Sequence, residues 1–398
     1  MIQFVEKKKC VGCNTCVQRC PKGCIRLEED EEGFLYPKTD SSLCVDCHLC
    51  EKVCPVIFRK EKRLPLKIYA MRNRDENIRF RSSSGGIFYL LAAAVLARGG
   101  VVFGARFNER WEVIHDYTET LEGLTPFLGS KYVQSRIGNS YRQAELYLKA
   151  GRPVLFSGTP CQIAGLRNYL GKGNEYLLTV DLICHGAPSP RVWDNYLGEL
   201  LEKKSLPGGR IKEISFRNKK QGWKNYNFVI AGTEGKEQQS EIKEWISEPG
   251  SENRFMQGFL GDLYLRPSCY ACPVKSFRSG SDLTLGDFWG IEEIMPEWED
   301  KRGTSAVFVH SEKGVEIVRK IADKCDWRQS DYGQVVRKNP SLEVSVTAPR
   351  NRQYFFAHWK EKSLIPFIEE MIKPLPQRKW KKLIRKFIRI LKSGRKYE

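Results

Sequence analysis

Two stretches, "CVGCNTCVQRCP" (10–21) and "CVDCHLCEKVCP" (44–55), carry the same pattern, C-x2-C-x2-C-x3-C-P, 34 residues apart. Three closely spaced thiolates can wrap one face of an iron–sulfur cube, and in a doubled run the fourth cysteine ligates the other cluster. The pattern therefore assigns Cys10, Cys13, Cys16 and Cys54 to one 4Fe–4S cluster, and Cys44, Cys47, Cys50 and Cys20 to a second. Pro21 and Pro55 end the two ligand runs. Zinc sites pair two CxxC units rather than this doubled run. Disulfides suit short secreted scaffolds. Cys24 reads as a buried filler beside them.

Four further cysteines form a looser set. Cys161 follows the strand-like "PVLFS", Cys184 ends "LLTVDLI", and Cys269 and Cys272 form the CxxC of "PSCYACP". In open α/β sheets, sites form outside the carboxyl ends of strands. Two cysteines at two such ends can be neighbours, and the CxxC loop can close the set. Four thiolates suit a third iron–sulfur cluster, or zinc, or no metal at all if they are ordinary buried thiols. A cluster would extend a chain of redox centres; zinc, with no redox chemistry, would interrupt it. Cys325 has no partner pattern and reads as core.

These cysteines need elements to hold them. Residues 1–58 form the cysteine module, and "RKEKRLP" (59–65) is a charged linker. "IYAMRN" (68–73), "GGVVFGARF" and the runs before Cys161 and Cys184 read as strands, and "IFYLLAAAVLA" (87–97) as a buried helix. Residues 211–245 alternate as hairpins do. Short apolar runs alternating with helical patterns predict an α+β or α/β fold: a ferredoxin-like module followed by an α/β domain on a mixed, largely parallel sheet. No G-x-G-x-x-G follows a strand, which argues against a nicotinamide-binding Rossmann unit.

The motifs "SSGGIF", "GSKYVQS", "VLFSGTPCQIAGL", "DLICHGAPSP" and "RPSCYACPVKSFRSGSDLTLGDFWG", behind the double ferredoxin unit, resemble the coenzyme F420 hydrogenase/dehydrogenase beta-subunit family. The resemblance covers most of residues 1–320. It divides the chain into the two-cluster domain (1–58) and the N-terminal (66–150) and C-terminal (151–345) regions of that family. It implies FAD, and it implies that Cys161, Cys184, Cys269 and Cys272 ligate the domain's own 4Fe–4S cluster. The activity implied is that of an iron–sulfur flavoprotein oxidoreductase. Electrons would pass from a ferredoxin or other low-potential donor, through clusters and FAD, to an organic acceptor, with surface-polysaccharide metabolism as the setting. The alternative is an electron-transfer subunit whose substrate site lies on another chain.

A flavin dinucleotide needs a cradle for its diphosphate, and a helix N-terminus with small residues supplies one. Ser83, Ser84, Gly85 and Gly86 stand before the 87–97 helix; a plain serine N-cap is the competing reading. Lys131 offers a countercharge and Gln134 and Ser135 offer donors, unless they line a solvated loop. Gly158 and Thr159 turn the chain just before Cys161. His185 could act as a proton donor or simply support the cysteine beside it. Asp287, in "GDFWG", could orient a substrate, with Phe288 and Trp289 as core or ring-stacking residues.

The net charge of +18 is concentrated at one end. Residues 377–398 hold ten Lys or Arg and one Glu, a balance of +9. In the tail 374–398, Trp380, Leu383, Ile384, Phe387 and Ile388 share one helical face opposite a basic one, which suits an anionic membrane surface. Packing on its own domain or a partner is the alternative; nucleic acid ranks last, because the charge is paired with a continuous apolar face. "MIQFVEKKKC" has no secretory h-region and no apolar run is long enough to span a bilayer. A cytoplasmic protein is expected, peripheral at the inner membrane face if the tail binds there, acting on a small or lipid-linked substrate.

Overall fold

Alternation of apolar side chains on both faces builds the central sheet. On β4 (Val101–Phe107), Val101 and Phe103 face one side and Val102 the other; on β6 (Val154–Gly158), Val154 and Phe156 oppose Leu155. Both faces are buried, so these strands read as nearly continuous apolar runs. The structure is a computed structural model and describes residues 2, 6–171, 173–203, 210–233 and 241–373.

The eight strands run in the order β13-β3-β12-β11-β7-β6-β4-β5. Besides β4 and β6 they are β3 (Lys67–Asn73), β5 (Val113–Thr118), β7 (Leu177–Leu182), β11 (Leu283–Asp287), β12 (Ser305–Val309) and β13 (Cys325–Gln329). Only β11, β7, β6 and β4 are parallel; β5, β12, β3 and β13 join antiparallel. The sheet is mixed, as expected, but less parallel than the alternation of strands and helices suggested. The physical reason at one edge is the five-residue link from β4 to β5, too short for a parallel crossover. Helices cover both faces. Ile87–Leu96 packs with Glu312–Ile321 on one side, sharing a core with Leu155 and Val180. Ser140–Lys149 and Pro160–Leu170 cover the other. The expected hairpins form a separate antiparallel meander of β8 (Arg210–Asn218), β9 (Asn227–Thr233) and β10 (Ile242–Pro249).

The cysteine module is small: a hairpin of β1 (Ile25–Glu29) and β2 (Leu35–Thr39), and two short helices, Thr15–Arg19 and Leu49–Lys52. It is locked to the larger domain by buried polar contacts. Gln18 Oε1 accepts from the backbone N–H groups of Tyr141 and Arg142. Arg352 forms a two-toothed pair with Glu32. Among the described residues no helix is long and apolar enough to cross a membrane. The basic tail 374–398 lies outside the described residues.

Candidate iron-sulfur electron-transfer site

The two ferredoxin-type runs fold alike because each bends through left-handed backbone on both sides of its middle cysteine. Gly12 and Asn14 flank Cys13 (φ 69° and 62°), and Asp46 and His48 flank Cys47 (φ 50° and 56°). Only glycine takes this region freely, and Asn and Asp tolerate it best among the others. Each run then enters a short helix whose first turn holds the third cysteine, Cys16 or Cys50.

The fourth cysteine of each run crosses to the other site. Cys10, Cys13, Cys16 and Cys54 line one recess, with Val11, Leu27 and Val56 around them. Cys20, Cys44, Cys47 and Cys50 line a second. Cys24 lines this second recess too, its Sγ 3.3 Å from that of Cys20. Burial pushes the Cys13 thiol up to about 12 and Cys16 well above its ordinary value. Such sulfurs ionise only beside a compensating cation, which metal supplies. Each recess thus has the donor set of a four-iron cluster. The second is the outer one: Cys47 is exposed, and Leu43 (57%) and Val45 (58%) beside it are open to solvent.

The four looser cysteines converge at the carboxyl edge of the sheet. Cys161 stands in the first turn of the helix after β6, Cys184 just past β7, and Cys269 and Cys272 on the turn Pro267–Ala271 and its cap. Their thiols act electrostatically on one another: Cys161 feels Cys272 and Cys184, and Cys184 feels Cys269 and Cys272. Burial, reinforced by those neighbours, drives the Cys161 thiol far up. It holds Cys184 and Cys269 at about 12. The Ala187 N–H donates to Cys269 Sγ at 3.4 Å, and Thr159 Oγ1 lies 3.2 Å from Cys161 Sγ. Without a compensating cation the raised Cys161, Cys184 and Cys269 thiols stay protonated. This donor set fits a cluster, and equally the four-sulfur shell of zinc. Cys325 is a core residue against Ile321.

The first ferredoxin site and the third cysteine set are neighbours. The Pro160–Leu170 helix turns Gly165 against the module; a Cβ there would lie 2.5 Å from Thr15 Oγ1 and 3.0 Å from Cys13 Cβ. Arg266, three residues before Cys269 and 1% exposed, reaches back to the first site. It donates to the carbonyls of Cys10 and Leu35, and its guanidinium lies 4.2 Å from the Tyr36 ring. Gly12 has no room for a side chain because Arg266 and Gln134 fill that space at 2.8 Å. Arg266 heads the "RPSCYACP" motif, but its reach to the Cys10 loop arises only when the module docks.

The residues proposed for a flavin divide into two groups. Ser83, Ser84, Gly85 and Gly86 form the turn before the 87–96 helix. Ser83 bonds Ser130, Ser84 donates to the Thr304 carbonyl, and the Gly85 N–H donates to Ser305 Oγ at 2.9 Å. Gly85 is required by packing, since its Cβ would sit 2.4 Å from the Met71 carbonyl oxygen. The others are engaged elsewhere. Lys131 turns onto the carbonyls of Pro126, Leu128 and Gly129, and burial lowers it to about 7. Gln134 bonds the Val11 carbonyl and Arg266. Ser135 sits between His115 and Gln162. Gly158 and Thr159 serve the helix cap, where Gln162 accepts from both the amide and the hydroxyl of Thr159. His185 pairs with Asp262 at 2.7 Å and meets the Phe259 ring edge-on. Asp287 is held by Arg217 and by the Trp223 indole at 3.2 Å.

An α/β domain with a two-cluster ferredoxin unit against the carboxyl edge of its sheet defines an iron–sulfur electron-transfer protein. Residues 9–57 match the family model of the 4Fe-4S dicluster domain, and residues 151–331 match that of the C terminus of the coenzyme F420 hydrogenase/dehydrogenase beta subunit. The chain thus carries one region matched by each of these two family models. Its N-terminal part is 33% identical over 74 residues to an uncharacterized ferredoxin of Methanocaldococcus jannaschii, covering 19% of this chain and 88% of that one. It is 36% identical over 77 residues to the ferredoxin 7Fe of Hydrogenibacillus schlegelii, covering 18% and 92%. It is 35% identical over 60 residues to the PorD subunit of pyruvate synthase from Methanothermobacter marburgensis, covering 15% and 64%. A solved structure of the F420-reducing [NiFe] hydrogenase complex from Methanosarcina barkeri aligns at a TM-score of 0.43 and 18% identity, over 70% of this chain and 90% of that one.

Proposed function

We propose that this protein is an iron–sulfur flavoprotein oxidoreductase that takes single electrons at its exposed ferredoxin site and delivers them in pairs to an organic acceptor. The observation that carries the reading is the close packing of Cys13 over Gly165, where an added Cβ would lie 3.0 Å from Cys13 Cβ, on the helix whose first turn holds Cys161. It supports a line of three centres. Cys20, Cys44, Cys47 and Cys50 hold the outer one, Cys10, Cys13, Cys16 and Cys54 the middle one, and Cys161, Cys184, Cys269 and Cys272 the inner one. A zinc ion at the inner set would end that line. When bound, the clusters carry one electron at a time, and FAD would convert them to two-electron chemistry.

The chain's own part is to hold and space these groups. Arg266 ties the CxxC turn to the Cys10 loop, so the middle and inner sets keep a fixed separation. The 83–86 turn and the N-terminus of the 87–96 helix would receive the flavin diphosphate. His185, tied to Asp262, is the proton donor nearest the inner set in sequence, and Asp287 would orient the acceptor. The family resemblance supports a small or lipid-linked acceptor of surface-polysaccharide metabolism. The basic amphipathic residues 374–398 support a cytoplasmic protein peripheral to an anionic membrane; vesicles should sediment the full chain and not one ending at Pro376.

A second reading, an electron-transfer subunit, is favoured by the exposed Leu43 and Val45 beside Cys47, which suit a docked redox partner. Anaerobic purification with iron, sulfide, zinc and flavin quantified tests the main reading. About twelve iron atoms per chain, from three four-iron cubes, and one flavin are expected. Eight iron atoms with zinc, or full iron with no flavin, would overturn it.

A further inference from the structure

The carboxyl edge of the sheet continues beyond the cysteines. Asp287 ends β11 in register with Ser305 of β12, whose hydroxyl accepts the Gly85 N–H. Above Asp287 lies Arg217 of β8, only 7% exposed. Its Nη1 donates to Asp287 Oδ2 at 2.5 Å, and its guanidinium carbon lies 4.9 Å from the Tyr226 ring centre and 5.7 Å from that of Trp289. Arg217 is thereby held by one end. Its other edge, Nε and Nη2, has no hydrogen-bond partner among the described residues. Leaving two buried donors of a charged group unmet costs several times a typical hydrogen bond, so such an edge is kept for a ligand.

The chemistry of that ligand follows from geometry. Nε and Nη2 form the side-on fork of a guanidinium, which matches two oxygens of one oxyanion. The surroundings hold two further basic side chains, Arg79 paired with Asp300, and Lys219. Lys219, two residues on, donates to the carbonyls of Arg79, Ser84 and Arg302, and burial with Arg79 and Arg217 nearby lowers it to about 7. A phosphate can meet both Nε and Nη2 with two of its oxygens. The aromatic neighbours lead back to the inner cysteines: Tyr132, which acts electrostatically on Arg217, stacks on Phe259 at 4.8 Å, and Phe259 meets His185 at 5.1 Å. A chain of neighbours thus links Arg217 to His185, and Lys219, just past the end of the same strand, reaches Ser84 of the 83–86 turn.

We propose that the Nε–Nη2 edge of Arg217 binds a phosphate or diphosphate group at this end of the sheet. That group belongs either to the dinucleotide cofactor or to the acceptor, an assignment that rests on the relay reading; the anion site itself does not. The test is Arg217→Lys, which keeps a charge for Asp287 and loses the fork. Both proteins are purified anaerobically, matched for iron content and melting temperature, and compared in flavin content and in calorimetric affinity for inorganic pyrophosphate. At least a tenfold loss of bound flavin assigns the site to the cofactor. Unchanged flavin with at least tenfold weaker pyrophosphate binding assigns it to the acceptor. Wild-type crystals soaked in selenate should show anomalous density against Arg217 if the acceptor is the source. Unchanged flavin and unchanged pyrophosphate affinity would overturn the proposal, whatever the iron count says about the relay.

Discussion

Gly165→Ala sets two physical effects against each other. Gly165 lies inside the Pro160–Leu170 helix, where alanine is favoured over glycine by ~1 kcal/mol on propensity alone. At this position the added Cβ would meet Thr15 Oγ1 at 2.5 Å, Cys13 Cβ at 3.0 Å and Tyr141 Oη at 3.1 Å. Ordinary contacts begin at ~3.5 Å, so the helix and the cysteine module have to separate by about 1 Å. All three neighbours are buried, and overpacking of this kind costs ~1–3 kcal/mol. The steric term wins. The module-to-domain docking equilibrium should weaken by roughly 5- to 150-fold, the equivalent of that energy. The assay pairs hydrogen exchange across 10–20 and 160–170 with stopped-flow transfer from the reduced module to an artificial acceptor, at unchanged iron content. Faster exchange and slower transfer in Gly165→Ala, both greater in Gly165→Val, are expected. An alanine variant that is more stable and transfers at the wild-type rate would refute the claim that this contact joins the middle and inner centres.

Arg266→Met should destabilise the docked module by roughly 2–4 kcal/mol, because charge-assisted bonds to two buried carbonyls are lost together; chemical denaturation with tryptophan and visible-absorbance probes would reveal it as early release of the module. His115, buried between Ser135 and the Ser157 carbonyl, is lowered by burial from 6.5 to about 4. Its folded value is depressed, so its stabilising share is complete above pH 6.5 and is lost as the pH falls towards 4. Wild type should lose roughly 3 kcal/mol more than His115→Gln between pH 7.5 and 4, and parallel pH–stability curves would refute this.

The parts of the molecule legible in the sequence were those set by local pattern. The doubled cysteine run fixed which sulfurs share a site, because spacing within a short loop leaves little freedom. Strand ends at Cys161 and Cys184 were visible as apolar runs, and the sheet rule brought them together. Gln134, Ser135 and Lys131 looked like a phosphate-binding loop because their types suit one. In the folded chain they serve the module contact, the His115 network and nearby carbonyls, which only docking decides. Arg217 and Lys219 carried no motif at all, and Arg266 headed the "RPSCYACP" motif with no role assigned to it. Each is a single cation whose meaning comes from partners 70 or more residues away, Asp287, Ser84 and Cys10. The balance of parallel and antiparallel strands was hidden for the same reason, since it depends on where β12 and β13 return.

The central claim is that the inner cysteines hold a redox-active cluster directly behind the middle one. Its most direct test is electron paramagnetic resonance of the fully reduced protein, wild type beside Cys269→Ser/Cys272→Ser. The variant should lose one third of its iron and the spin–spin broadening contributed by a third centre, while the signals of the two ferredoxin-type clusters remain. Identical iron content and an identical reduced spectrum in the two proteins would contradict it.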